Sequence, residues 1–174
     1  QEALEWVVLE YDAENNRSLL ITKLVIDGKR YHESNDYWDT KYPTWAKSTM
    51  HSWLNGTFLT TAFTADEQKG LVSTKIVTKD NGKFSGGDPV WDKVWLLSNE
   101  EAEKYFKTDA KRTTDATDYV VNDWRGDQGE WSTTFGATAY WLRSPGEHNK
   151  AAMFVETSGY IDNHNICVYD YCGV

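Results

Sequence analysis

Apolar positions in this chain come in short runs of strand period, separated by polar turns, with helical spacing at only a few places. Residues 5–9 and 18–26 read as two β-rich runs joined by the polar loop Asp12-Ala13-Glu14-Asn15-Asn16, which predicts a hairpin. Asp27-Gly28 supplies the next turn, and residues 30–43 lose all period, a long loop whose aromatics are expected to fold back onto the domain. Ser48 is placed as an N-cap, Met50, Trp53 and Leu54 form an apolar stripe at i, i+3, i+4, and Gly56 is expected to end that helix. Thr64 and Glu67 have capping-box spacing, opening a short helix stopped by Gly70. A strand over 71–78, a Gly-rich loop over 80–89 and a strand over 93–97 follow. Ser98 and Glu101 form a second capping box, for a helix that carries Ala102, Tyr105 and Phe106 on one face. Residues 108–136 are polar and aperiodic. Trp124 and Trp131 within them either pin the loop to the domain or meet a ligand.

The C-terminal quarter has a sharper pattern. Ala139-Tyr140-Trp141-Leu142 is a short apolar strand that delivers Arg143 and then breaks at Pro145-Gly146. An arginine fixed at a strand end is expected to be structural, its planar fork held by a carboxylate or by carbonyls, with Trp141 as its packed neighbour. Residues 151–155 are apolar throughout, as a strand buried on both faces would be. Residues 160–171 mix aromatics with Asn, Asp and His. Tyrosine offers a large rigid contact area and the polar side chains add adaptable hydrogen bonds, so Tyr160, Asp162, Asn163, His164, Asn165, Tyr169, Asp170 and Tyr171 form the predicted ligand-binding face. Ile161, Ile166 and Val168 are expected to point inward. Asp162, Asn163, Asn165 and Asp170 also offer hard oxygens for a cation, against the commoner role of such residues in turns.

Composition changes this picture mainly by exclusion. A chain of 174 residues has the length of one domain, 1–174, with no need of a disulfide framework. A net charge of −9, with 18 Lys and Arg in no block, disfavours nucleic acid and anionic membrane as partners. No apolar run reaches the ~20 residues of a membrane span, and no signal-type segment opens the chain. Nine Trp and ten Tyr exceed what a core of this size needs, which predicts that some face solvent or a ligand. There is no G-x-S-x-G, H-E-x-x-H, P-loop or G-x-G-x-x-G. The four histidines, His32, His51, His148 and His164, lack metal-ligand spacing. No cofactor is expected.

Several blocks together resemble a bacterial family, the domain of unknown function numbered 6273, which has a C-type-lectin-like fold. They are Glu5-Trp6-Val7-Val8-Leu9, Leu19-Leu20-Ile21-Thr22, Thr44-Trp45 with Ser48-Thr49-Met50-His51-Ser52-Trp53-Leu54-Asn55, Ala62-Phe63-Thr64, Lys93-Val94-Trp95-Leu96-Leu97-Ser98, Tyr105-Phe106, Trp141-Leu142-Arg143-Ser144-Pro145-Gly146 and the closing Gly173-Val174. The family usually continues past Gly-Val with Arg-Pro-Ala, so this chain is expected to stop inside its last strand. The resemblance implies an α+β fold of small antiparallel sheets with two short packed helices and much irregular loop. It supplies no calcium-dependent sugar motif: Glu-Pro-Asn, Gln-Pro-Asp and Trp-Asn-Asp are missing, and Val121-Asn122-Asp123 is a weak echo of the last.

Three functions remain open at this level. The expected one is a non-catalytic recognition module, extracellular or on the cell surface of a bacterium or phage, with a protein or glycan ligand. Lys, Glu, Gln, Met and Trp recur throughout the preceding chain yet are absent from 157–174. That bias resembles the variable region of proteins diversified by adenine-specific retroelements; ordinary strand-and-turn composition is the alternative. The second function is a copper-dependent oxidase, because formylglycine-generating enzymes share the fold and carry a copper-binding Cys-x4-Cys near the C-terminus, the spacing of Cys167 and Cys172. A strand places residues five apart on opposite faces, which opposes it unless a bulge intervenes. The third is a structural spacer domain, which predicts mostly buried aromatics. Oligomeric state is not legible.

Overall fold

The computed structural model describes residues 4–33, 43–127, 138–164, 168 and 170–174, with backbone only for 123–127. Strands β1 (Trp6–Asp12) and β2 (Arg17–Thr22) form the expected hairpin, tightened by Asn16 at φ 49°. A five-stranded sheet is ordered β3-β9-β6-β7-β8, from β3 (Gly28–Arg30), β6 (Tyr140–Pro145), β7 (Ala152–Val155), β8 (Ile161–Asp162) and β9 (Tyr171–Gly173). All its pairings are antiparallel except β6 with β9. A third, two-stranded sheet pairs β4 (Thr74–Ile76) with β5 (Val90–Asp92). The chain is therefore α+β with small sheets.

Alternation along β6 and β7 decides where the cores lie. Trp141, Ala152 and Phe154 point to one face, against Tyr31, Trp45, Met50 and Leu54; Leu142, Met153 and Val155 point to the other, against Ala102, Leu97 and the hairpin residues Leu9 and Ile21. A strand covered on both sides can be apolar at every position, as β7 is. The hairpin itself is only half covered, and Trp6, Val8, Tyr11 and Leu20 remain exposed.

The helices depart from expectation in number and length. Ser48 does cap α1 (Thr49–Trp53), accepting from His51 N at 3.0 Å. Gly56, expected as the stop, instead lies within a π-helical turn, Leu54–Phe58, that leads into α2 (Leu59–Ala62). The aromatic rings explain the continuation: Trp53 and Phe58 meet at 5.1 Å and Phe58 and Phe63 at 6.1 Å, so helix carried past the glycine gains packing that outweighs its propensity. The true stop is Phe63, which is extended (φ −121°, ψ 135°). Both capping boxes form, on α3 (Ala65–Gly70) and α4 (Asn99–Tyr105). The aperiodic segment after residue 108 holds two further helices, α5 (Asp109–Arg112) and α6 (Asp118–Asp127), so two helices undercount the described residues. Trp124 belongs to α6; its side chain and all of Trp131 lie outside the described residues.

The strand expected over 93–97 is not one. Its backbone is held by a side chain: Asn55 Oδ1 accepts from Lys93 N (3.0 Å) and Val94 N (3.3 Å), while Nδ2 donates to Val94 O (2.8 Å). One amide thus holds the start of this segment, and Arg143 of β6 holds its end, its backbone N donating to Leu97 O at 2.9 Å.

Tyr140 carries a pH dependence. Its partly buried hydroxyl donates to Arg112 O at 3.0 Å, and burial raises its pKa to about 12 from 10.0. The neutral phenol is favoured in the fold, so this stabilisation is complete below pH 10 and is lost as pH rises through 12. A two-unit shift corresponds to about 3 kcal/mol. Tyr140→Phe is expected to flatten the alkaline limb of stability between those values, measured by urea unfolding across pH; an unchanged limb would assign the loss to other groups.

Candidate functional site

Residues bracketing β8 open onto a cleft of about 370 Å³ lined by Asn99, Glu103, Asp109, Arg112, Met153, Tyr160, Ile161 and Asn163. Three elements build it. Helix α4 offers Asn99 and Glu103, one turn apart and so on one face. Helix α5 offers Asp109 and Arg112. The turn before β8 and its exit offer Tyr160 and Asn163, with Met153 of β7 and Ile161 of β8 as apolar walls.

Arg112 holds these pieces together rather than standing free. It is 9% exposed; Nε donates to Gly159 O (2.8 Å), Nη1 to Phe106 O (2.7 Å) and Nη2 to Asp109 Oδ1. Gly159 is at φ +84°, and a Cβ there would lie 1.9 Å from Asp109 O, so only glycine lets the turn press this close to α5. Tyr160, the next residue, is thereby set at the cleft mouth, 56% exposed. Among the described residues the side chains of Asn99, Glu103, Asn163 and Tyr160 make no hydrogen bond, which leaves their polar atoms open to solvent or to a ligand.

The predicted binding face is only partly assembled. Residues 160–171 do not form one strand; β8 and β9 stand at different places in the sheet, separated by β6 and β7. Three strand steps put Tyr171 about 14 Å from the Tyr160 edge. Tyr171 is half-buried, with the Arg30 guanidinium 4.9 Å from its ring centre. Asp162, expected to face a ligand, is buried at 4% exposure, and its Oδ1 accepts from His164 N at 2.7 Å in a turn. Its hydrogen-bonded role there is the commoner one for Asp in such a run. His164 is exposed, pairs through Nδ1 with Glu147 Oε1 at 2.6 Å and meets the His148 ring edge-on at 5.4 Å. Asp170 is half-buried. Asn165, Ile166, Cys167 and Tyr169 lie outside the described residues. Val168 is fully buried and Ile161 packs on the second core.

Arg143 and Trp141 lie away from the cleft, in the framework. Trp141 is 1% exposed and donates from Nε1 to Lys29 O at 2.8 Å. Arg143 is 3% exposed; Nη1 donates to Leu96 O (2.7 Å) and to Glu101 Oε2, and Nη2 to Glu101 Oε1 (2.9 Å). Glu101 Oε2 also accepts from Ser98 N (3.0 Å), and Ser144 Oγ accepts from Asn99 N (2.9 Å). The dipeptide Arg143-Ser144 therefore clamps the start of α4, which is the helix that carries Asn99 and Glu103 to the cleft. Gly146 permits the turn beyond: a Cβ there would lie 2.5 Å from the Ala151 Cβ and 2.7 Å from Asn163 O.

A family model described as Domain of unknown function (DUF6273) matches residues 15–174. The chain belongs to this family. No curated protein and no solved structure matches the chain. The DUF6273 match takes in every residue lining the cleft, together with Arg143 and Ser144, and begins after strand β1.

Within the DUF6273 region, Cys172 is wholly buried in the first core, where burial pushes its thiol far above the ordinary range. A buried neutral thiol is a poor copper ligand, since the thiolate is the species that binds soft metals. Among the described residues no three His, Cys, Asp or Glu side chains are placed to hold a metal ion. Among them, too, no helix is long and apolar enough to cross a membrane. In the compositionally biased segment, Thr157, Ser158, Tyr160 and His164 are exposed, whereas Gly159, Asp162, Val168, Cys172 and Gly173 are buried.

The cleft residues that sequence reasoning missed are Asn99, Glu103, Asp109, Arg112, Met153 and Ile161 as a wall. Glu103 was within reach, since the Ser98 capping box sets the helix phase and leaves it off the face of Ala102, Tyr105 and Phe106; Asn99 lies at the border of that face. Nothing local pairs them with Tyr160.

Proposed function

We propose that this chain is a non-catalytic recognition module of C-type-lectin-like fold, acting at or outside the surface of a bacterium or phage, with its ligand site at the β8 edge of the main sheet. The observation that carries this reading is Tyr160: a large aromatic, 56% exposed, at the mouth of a cleft it shares with Asn163. A large exposed aromatic beside amides that are free to hydrogen-bond has the make-up of a contact surface. The order of hairpin, capped helices and the Trp141–Gly146 block supports the fold reading. Trp6, Tyr11, Trp91, Tyr119 and Tyr160 are all exposed, which runs against a purely structural spacer.

The test is a screen of the purified protein on a glycan array and by panning a random peptide phage library. Tyr160→Ala is expected to weaken any selected ligand at least about tenfold, the usual size of an aromatic anchor's loss, with an unchanged melting temperature. Ligands that bind the variant equally well would place recognition elsewhere, and the reading of the β8 edge would fall.

A further inference from the structure

We infer that the β8 cleft takes a neutral sugar unit, held by amides and a carboxylate without a metal ion. The inference rests on the recognition reading above and specifies its ligand. It starts from what the cleft's polar atoms can satisfy. Arg112 has its charge met by Asp109 and its donors directed to Gly159 O and Phe106 O, so it does not recruit an anion. The carboxylate of Glu103, which no cation pairs among the described residues, would repel one. An ammonium ion fares differently but no better, because it only donates: the amide N–H groups of Asn99 and Asn163 would be covered and left without acceptors, a cost of about 1–3 kcal/mol each.

A hydroxyl both donates and accepts. Three or more sugar hydroxyls can donate to Glu103 and to both amide oxygens while accepting from the amide N–H groups, so the donors and acceptors of these side chains are engaged together. The remaining lining suits the apolar face of a sugar ring. Tyr160 presents an exposed ring at the mouth, where its negative π-face attracts polarised C–H groups, and Met153 and Ile161 supply apolar wall. A volume of about 370 Å³ is near the small end of ligand sites, room for one or two sugar rings. Asn99 and Glu103 are held on α4 by the Ser98 capping box and Arg143, and Tyr160 by the Gly159 turn, so the site is preformed.

The experiment is saturation-transfer NMR on the whole chain with methyl glycosides of glucose, galactose and mannose and with N-acetylglucosamine, in EDTA, alongside the array and the peptide panning. At least one sugar is expected to show transfer in EDTA. Glu103→Ala and Asn163→Ala are each expected to weaken it about tenfold, the loss of roughly one charged or buried hydrogen bond. Neither side chain is bonded within the fold, so both variants should melt as the parent does. Sugar binding that vanishes in EDTA, or that survives both substitutions, overturns this site. If peptides selected by panning depend on Tyr160 while every sugar fails, the recognition module stands and the sugar assignment falls. If neither sugar nor peptide depends on Tyr160, both fall together.

Discussion

Arg143→Ala is expected to lower unfolding free energy by about 3–5 kcal/mol, the range for breaking a buried ion pair by removing one partner. For a chain of this length that corresponds to a melting temperature lower by roughly 6–20 °C. The size follows from what the guanidinium touches. It is 97% removed from solvent, spans both oxygens of Glu101 and reaches Leu96 O, so its loss leaves a half-buried carboxylate and a carbonyl without their donor. It also frees the start of α4, because Glu101 closes the Ser98 capping box with the same carboxylate. Arg143→Lys keeps the charge but has no planar fork to bridge these acceptors, and should fall between parent and alanine. Thermal and urea melts decide it. A melting temperature within about 2 °C of the parent, below the shift expected of even 1 kcal/mol, would show that Arg143 is not the framework clamp.

Asn55→Ala should cost about 2–4 kcal/mol. The lost amide leaves Lys93 N, Val94 N and Val94 O unpaired, at about 1–3 kcal/mol each where water cannot reach them, and Asn55 is only half-buried. Asn55→Asp separates hydrogen bonding from shape. It preserves size and both acceptor bonds, yet sets a carboxylate oxygen against Val94 O and His51 O, so it should be no more stable than alanine. Faster amide exchange confined to Lys93 and Val94 would accompany either change. An Asn55→Asp protein as stable as the parent would show that the 93–97 segment is held without Asn55, by its packing and by the bonds of Arg143 to Leu96 O and Leu97 O.

These two residues mark different limits of legibility. Arg143 declared itself, because a lone cation between Trp141-Leu142 and Pro145-Gly146 has to meet a partner; the sequence could name the need and not the partner, since Glu101 lies 42 positions away. Asn55 gave no sign. Lys93-Val94-Trp95-Leu96-Leu97 has the apolar density of a strand, and nothing local says that its hydrogen bonds go to a side chain.

The candidate site divides the same way. Tyr160 and Asn163 were named from their residue types, and both line the cleft. Asp162 between them turned inward, because its carboxylate serves the backbone of His164. Tyr171 was grouped with Tyr160 by nearness in sequence, but the sheet order carries β9 to the far side of β6 and β7. Gly56 failed as a stop signal for a related reason: three aromatic rings packed along one side outweigh the roughly 1 kcal/mol that glycine costs a helix.

By itself, the sequence determined whatever is governed by neighbours within a few residues. The hairpin, the two capping boxes, the Ser48 cap, the strand break at Pro145-Gly146 and the double-faced burial of β7 all follow from local hydrogen bonding or from hydrophobic period. It also placed the chain in its family. Tertiary structure alone decided which strands are neighbours, which carboxylate meets Arg143, that the apolar side chains Trp6, Val8 and Leu20 of the hairpin stay in water, and that α4 and α5 face Tyr160 across a cleft. Those outcomes depend on contacts between residues tens of positions apart, whose energies are set by packing and desolvation in the assembled fold, and a short window of sequence contains only one side of each.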